Sequence, residues 1–260
     1  MRKRFLLVFL ALFCTFLFGC SNVEGDLVTK PNMPPRSGVT ITKSELLPNF
    51  NSISIRGPFN VTVHFQTNQS NPKLTNVVLK GDSTLINNIV FSVSKGVLTV
   101  YTNPDYTFDP DYPVTLDIYT PTLSRFYMSG AGKVKIKNIN TLYLRFIGEG
   151  SAYYELAGYA QRFDATMTGS SRLNAKCLYT RTIFINTTGT AQAEILNNKG
   201  GISALASDRS DIYYYSRPDM VAPYERKSGS VMRMQGISPA STGTVKQAQI
   251  PESKIVEGRG

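Results

Sequence analysis

An all-β fold, a single-stranded right-handed parallel β-helix (β-solenoid) with coils of about 20 residues, is predicted for this chain by three observations. Apolar and polar residues alternate in short runs. No stretch carries a long 3.6-residue periodicity. Small, turn-prone residues recur at a nearly fixed interval through the second half.

The alternation is clearest in Asn60-Val61-Thr62-Val63-His64-Phe65, where every second residue is apolar, as in a half-buried strand. Similar runs cover Leu74–Leu79, Ile89–Val93, Val97–Tyr101 and Val114–Tyr119, with Gly81-Asp82 and Lys95-Gly96 as turns between them. Leu85–Ile89 reads as a single helical turn.

The repeat is set by Gly130, Gly148, Gly169, Gly189 and Asp208, spaced 18, 21, 20 and 19 residues apart. Four residues before each anchor stand Phe126, Leu144, Ala165, Ile185 and Ala204, and four after stand Val134, Ala152, Leu173, Ala193 and Ile212. All are apolar, whereas three after the anchor stand Lys133, Ser151, Arg172, Gln192 and Asp211. Strict alternation excludes a helical solenoid, and the framework of a leucine-rich repeat is missing. Coils that cannot bury an apolar face alone must stack into a common core. The chirality of parallel crossovers favours a right-handed coil.

The chain starts with Met1-Arg2-Lys3-Arg4, an apolar run of 14 residues from Phe5 to Phe18, and Gly19-Cys20. A basic start, a short apolar core and a small residue before the cut make residues 1–19 a secretory signal. The run falls short of the roughly 20 residues of a spanning helix. Leu17-Phe18-Gly19-Cys20 resembles the lipobox of bacterial lipoproteins, so Cys20 is the expected lipidated residue and its lipid the expected contact with the membrane. Ser21 favours the outer membrane, facing periplasm or cell surface. Residues 20–49 contain Pro31, Pro34, Pro35 and Pro48 and read as a tether. Residues 50–236 form the β-helix domain, and residues 237–260, polar and aperiodic, read as a disordered tail.

Cleavage after Gly19 removes three positive charges, lowering the net charge from +10 to +7. That balance suits anionic headgroups or acidic polysaccharide. No Lys/Arg run points to nucleic acid. Once Cys14 leaves and Cys20 is acylated, Cys177 remains alone, so no internal disulfide forms and the apolar core must hold the fold.

Phe50-Asn51-Ser52-Ile53-Ser54-Ile55, Gly57-Pro58-Phe59-Asn60-Val61-Thr62-Val63, Leu79-Lys80-Gly81-Asp82, Gly96-Val97-Leu98-Thr99-Val100 and Ser129-Gly130-Ala131-Gly132 together resemble the bacterial family called putative auto-transporter adhesin, head GIN domain. The resemblance spans residues 50–234. It implies a right-handed β-helix, often lipid-anchored, and no established activity. Later turns depart from the repeated Ser-Gly-x-Gly, reading Thr168-Gly169-Ser170-Ser171 and Ser207-Asp208-Arg209-Ser210.

Candidate chemistry is sparse. His64, the single histidine, sits outward without the partners of a zinc or catalytic site. Asp105, Asp109 and Asp111 lie in a Pro-rich turn whose spacing fits no calcium loop. Cys177 shares the inward phase of Leu173 and Ala175. Glu155, Asp164, Glu194 and Asp211 fall singly on different outward phases, with no catalytic carboxylate pair. Tyr127, Tyr143, Tyr153, Tyr213 and Tyr215 fall on outward phases and form the candidate ligand face, because exposed tyrosine offers rigid contact area with a polar tip. The expectation is a lipid-anchored envelope domain without cofactor or metal that binds an envelope glycan or protein. A carbohydrate-active β-helix enzyme and a structural envelope spacer are the alternatives.

Overall fold

Two strand ladders, parallel from Arg125 onward and joined by tight turns, carry the architecture of the described residues. The computed structural model describes residues 35–235 apart from 67–69, 72, 104, 105, 107, 110 and 216 and the side chain of residue 198. The signal, Cys20 and the tail lie outside the described residues.

Strands β1 (Thr40–Pro48), β2 (Ser52–Arg56), β3 (Phe59–Phe65) and β4 (Leu74–Asp82) lead to a short helix, α1 (Ser83–Asn87). Then follow β5 (Ile89–Ser94), β6 (Val97–Thr102), β7 (Val114–Thr120) and β8 (Arg125–Gly130). The long strands β9 (Lys133–Gly150), β10 (Tyr153–Met167), β11 (Arg172–Thr187) and β12 (Gln192–Ala206) each run through both ladders. The stack finishes with β13 (Asp211–Tyr215), β14 (Met220–Glu225) and β15 (Ser230–Arg233). One ladder reads β1-β4-β7-β3-β9-β10-β11-β12-β13-β15. The other runs from β6 through β2 and β8 to the second halves of β9–β12 and on to β14.

Most inward positions are apolar: Phe126, Phe146, Ala165, Ile185 and Ala204 form one inward column and are 0–4% exposed. Facing rings stack there, with Phe126 and Phe146 centroids 5.3 Å apart. No coil buries this surface alone, so each stabilises its neighbours.

The first coils are not purely parallel, and the sequence pattern did not reveal it. β1 pairs antiparallel with β4, β4 with β7, and β5 with β6. The expected tether at 20–49 therefore gives way to a strand at Thr40. Its alternating Ile41 and Leu47 pack against the core, and β1 covers the strand edge that β4 would otherwise present. Asp82 accepts the Thr84 N–H at 2.9 Å and so starts α1, which buries Leu85 and Ile86.

The turn column corrects the expected register. Its members are Gly130, Gly150, Gly169, Gly189 and Asp208, since from Gly150 on the residue after each donates its N–H to the turn residue below, as in Ser151 to Gly130 and Ser170 to Gly150. Gly148 is not the anchor. The slip is two residues, so every side chain keeps its face and the apolar columns still looked right. Phe146 replaces Leu144 in the column before the turn, and Tyr154 replaces Ala152 in the one after. Gly150 needs its missing Cβ twice over: φ is 92°, and a Cβ would lie 2.4 Å from the Gly130 carbonyl oxygen. Asp208 holds the same turn at φ 64°, a conformation Asp tolerates better than most residues.

Cys177 is a second correction. It is exposed, because β11 carries one extra residue between its pairings with Glu155 and Ala157 of β10. That bulge turns Cys177 outward and brings Leu178 into the core in its place.

Candidate functional site

The outward side chains form two ladders of their own, and the five tyrosines divide between them. In the half-coil before the turn, Tyr127 stands on the ladder Tyr127, Ile147, Thr166, Asn186, Leu205, Tyr224. Tyr143 pairs with Arg162 on a parallel row of the same ladder. In the half-coil after the turn, Tyr153 stands between Lys133 and Arg172, while Tyr213 follows Glu194. The expected single tyrosine face is therefore two faces.

Most of these phenols are held by a neighbour one rung away. Tyr127 donates to Glu149 Oε2 at 2.8 Å and Tyr143 to Asp164 Oδ2 at 3.0 Å. Burial first, and the facing carboxylate second, push both phenols above their ordinary pKa. Tyr153 Oη accepts from Asn174 Nδ2 at 3.3 Å, and Tyr213 donates to Asp211 Oδ2 at 3.3 Å. Tyr143 and Tyr153 are 40% and 39% exposed. Tyr215 departs from the expected exposure: it is 6% exposed, with its phenol donating to Glu194 Oε1 at 3.0 Å and Lys176 over its ring. The long side chains of the neighbouring coil cover it.

The carboxylates are also engaged. Glu155 meets Lys137 at 2.9 Å, Glu194 meets Lys176 at 2.8 Å, and Asp164 is gripped by Arg162 through both Nε and Nη2. Each carboxylate raises the pKa of its basic partner. Ser230 Oγ donates to Asp211 at 2.5 Å. Glu155 and Glu194 do share one ladder, contrary to the expected different phases; Asn174 separates them. The slip at Gly148 hid this.

Phe184, missed as a site residue, is 43% exposed beneath the Arg162 guanidinium, 4.5 Å from its centroid. The signal was its outward phase between the inward Ile183 and Ile185. His64 contacts Asp117 Oδ1 at 3.0 Å and stacks on Tyr119. Asp105 lies outside the described residues, and Asp109 accepts the Asp111 N–H. Among the described residues no group of three His, Cys, Asp or Glu is placed to hold a metal ion. A shallow groove of about 520 Å³ runs along the turn column past Gly57, Gly130, Gly150, Gly169 and Phe108; serines are its only polar side chains.

A stack of parallel coils with ordered side-chain rows on its outer faces defines a β-solenoid. The chain belongs to the family described as Putative auto-transporter adhesin, head GIN domain, whose model matches residues 49–218. The family is of cell-envelope or surface type. A crystal structure of a putative adhesin from Bacteroides fragilis is similar in fold, with a TM-score of 0.61 at 18% identity over 76% of this chain and 99% of that one. A putative lipid binding protein from Parabacteroides distasonis aligns with a TM-score of 0.47 at 15% identity, over 77% of this chain and 98% of that one. No curated protein matches the chain significantly. Among the described residues no helix is long and apolar enough to cross a membrane.

Proposed function

We propose that this protein is a lipid-anchored envelope component, tethered through Cys20 to the outer membrane, whose coil stack binds a glycan or protein ligand without altering it chemically. The observation that carries the reading is the set of outward tyrosines fixed by polar neighbours: Tyr127 by Glu149, Tyr143 by Asp164 and Tyr153 by Asn174. A ring already held in place loses little freedom on binding and presents area with a polar tip. Membership of an adhesin-like family supports the same role. Engagement of Glu155, Asp164 and Glu194 in ion pairs with Lys137, Arg162 and Lys176 supports the non-catalytic part.

A glycan and protein array with the wild type and with Tyr143→Ala and Tyr153→Ala tests the binding role. Ligand retained by the wild type and weakened in one variant is the expected result; full retention by both variants, or turnover of the ligand, contradicts it. For the anchor, Cys20→Ser should leave an unprocessed precursor without lipid. A mutant that matures and partitions into detergent like the wild type contradicts the lipoprotein reading.

A further inference from the structure

We propose that the ligand is an acidic polysaccharide lying along the row Lys133, Tyr153, Arg172, an assignment that rests on the binding role above. These three residues occupy consecutive rungs of the outward face, with Gln192 on the next. Lys135 stands two residues beyond Lys133 on the same strand and so on the same face.

Two neighbouring lysines of this face are already neutralised, Lys137 by Glu155 and Lys176 by Glu194. Lys133, Lys135 and Arg172 are exposed, and among the described residues none has a carboxylate within ion-pairing distance. The cluster is therefore complementary to an anion supplied from outside.

Tyr153 adds the sugar-binding element. Its hydroxyl is fixed by Asn174, and among the described residues no second ring or cation lies over its face. Tyr143 and Phe184 on the other half-coil differ, since Arg162 lies over both. Lys133 and Arg172 are two rungs apart, about 9.6 Å at the usual strand spacing. That distance approximates the advance of one disaccharide, so acidic groups on alternate sugars would meet successive cations with Tyr153 beneath the sugar between them. Asn174 and Gln192 offer amides to the hydroxyls. From Lys133 to Gln192 the row holds no aliphatic side chain to enter a bilayer, which favours a polymer over a lipid surface.

The test uses the full chain in nonionic detergent, with binding of polygalacturonate, dextran and polyglutamate measured by biolayer interferometry. Polygalacturonate should bind, more weakly as salt rises, and the two other polymers should bind at least about tenfold more weakly. Lys133→Ala with Arg172→Ala should lose about tenfold or more, and Tyr153→Ala should lose a comparable amount. Arg125→Ala with Arg145→Ala, two exposed arginines on the other half-coil, should stay within about twofold, because distant rows are screened from each other. Equal loss from the Arg125/Arg145 pair, or equal binding of polyglutamate, overturns the proposal. So does an absence of polygalacturonate binding. In that last case, ligand capture through Tyr153 on the array leaves the broader binding role standing, whereas silence on every arm removes both. A wild-type far-ultraviolet spectrum for each variant separates lost binding from lost fold.

Discussion

The ring of Tyr154 lies directly over Gly148: a Cβ built on that glycine would come within 2.6 Å of Tyr154 Cε2. Gly148 is thus a glycine of space, in ordinary extended backbone within β9, and Gly150 is the glycine of the turn. Tyr154 is fully buried, makes an edge contact with Phe146 and donates to the Met128 carbonyl at 3.3 Å. Burial holds its phenol far above the ordinary range.

Gly148→Ala should destabilise by about 1–3 kcal/mol, the usual cost of overpacking a filled core. Gly150→Ala should cost more, because its contact is backbone and its φ is left-handed. Tyr154→Phe keeps the ring and should cost only about 1 kcal/mol for the lost hydrogen bond. Urea unfolding of the three variants checks the order; a milder loss at Gly150 than at Gly148 would return the turn to Gly148.

This pair also explains how far the sequence could be read. Alternation locates strands and their inward faces reliably, because side chains in a strand have a period of two. The same period makes a two-residue slip invisible. Leu144 and Phe146 are both apolar and inward, as are Ala152 and Tyr154, so either alignment satisfied the pattern. The error set Tyr153 beside Lys135 and Asn174 instead of Lys133 and Arg172, so the row Lys133, Tyr153, Arg172 became visible only in the paired strands. Cys177 was misplaced for a different reason, since a bulge leaves no mark in an alternating sequence. β1 was missed because its polar residues and Pro48 resemble a linker until β4 supplies the partner.

Asp208 supplies a pH dependence. It accepts hydrogen bonds from Lys227 Nζ, from Thr188 Oγ1 at 2.6 Å and from the Gly189 N–H. Lys227 first, then Thr188, hold its carboxyl well below the usual carboxylate range. A depressed folded-state pKa means stability that is complete above the unfolded value and shrinks as pH falls from about 4 toward the folded value. Asp208→Asn keeps a residue that tolerates left-handed backbone but removes the charge. The wild type should melt higher than this variant at pH 7, and the gap should close as the solution is acidified below pH ~4. A gap that is constant with pH would place the benefit outside this carboxylate.

The exposed Cys177 gives a direct chemical readout. In a chain starting at Ser21 it is the single thiol, and an aromatic disulfide reagent should titrate one equivalent without denaturant. Cys177→Ser should shift stability by no more than about 0.5 kcal/mol, as for an ordinary surface position. A thiol that reacts only after unfolding would mean that the bulge in β11 is absent.

Both the binding face and the acidic-polymer row depend on which residues of each coil point outward, and Ile185 and Asn186 decide that directly. Ile185 is 1% exposed in the inward column with Phe146 and Ala165, whereas Asn186 is exposed on the row of Tyr127 and Thr166. Burying an isoleucine contributes roughly 1.5–3 kcal/mol, and an unpaired buried carboxylate in its place adds a desolvation cost of several more. Against a total of about 5–15 kcal/mol, Ile185→Asp should unfold the middle coils. Asn186→Asp should change stability by no more than about 0.5 kcal/mol. Thermal melts of the two variants in the unlipidated chain are the measurement. A collapse confined to Ile185→Asp is the predicted result, and equal melting temperatures or a larger loss for Asn186→Asp would contradict the coil phase and every outward face assigned from it.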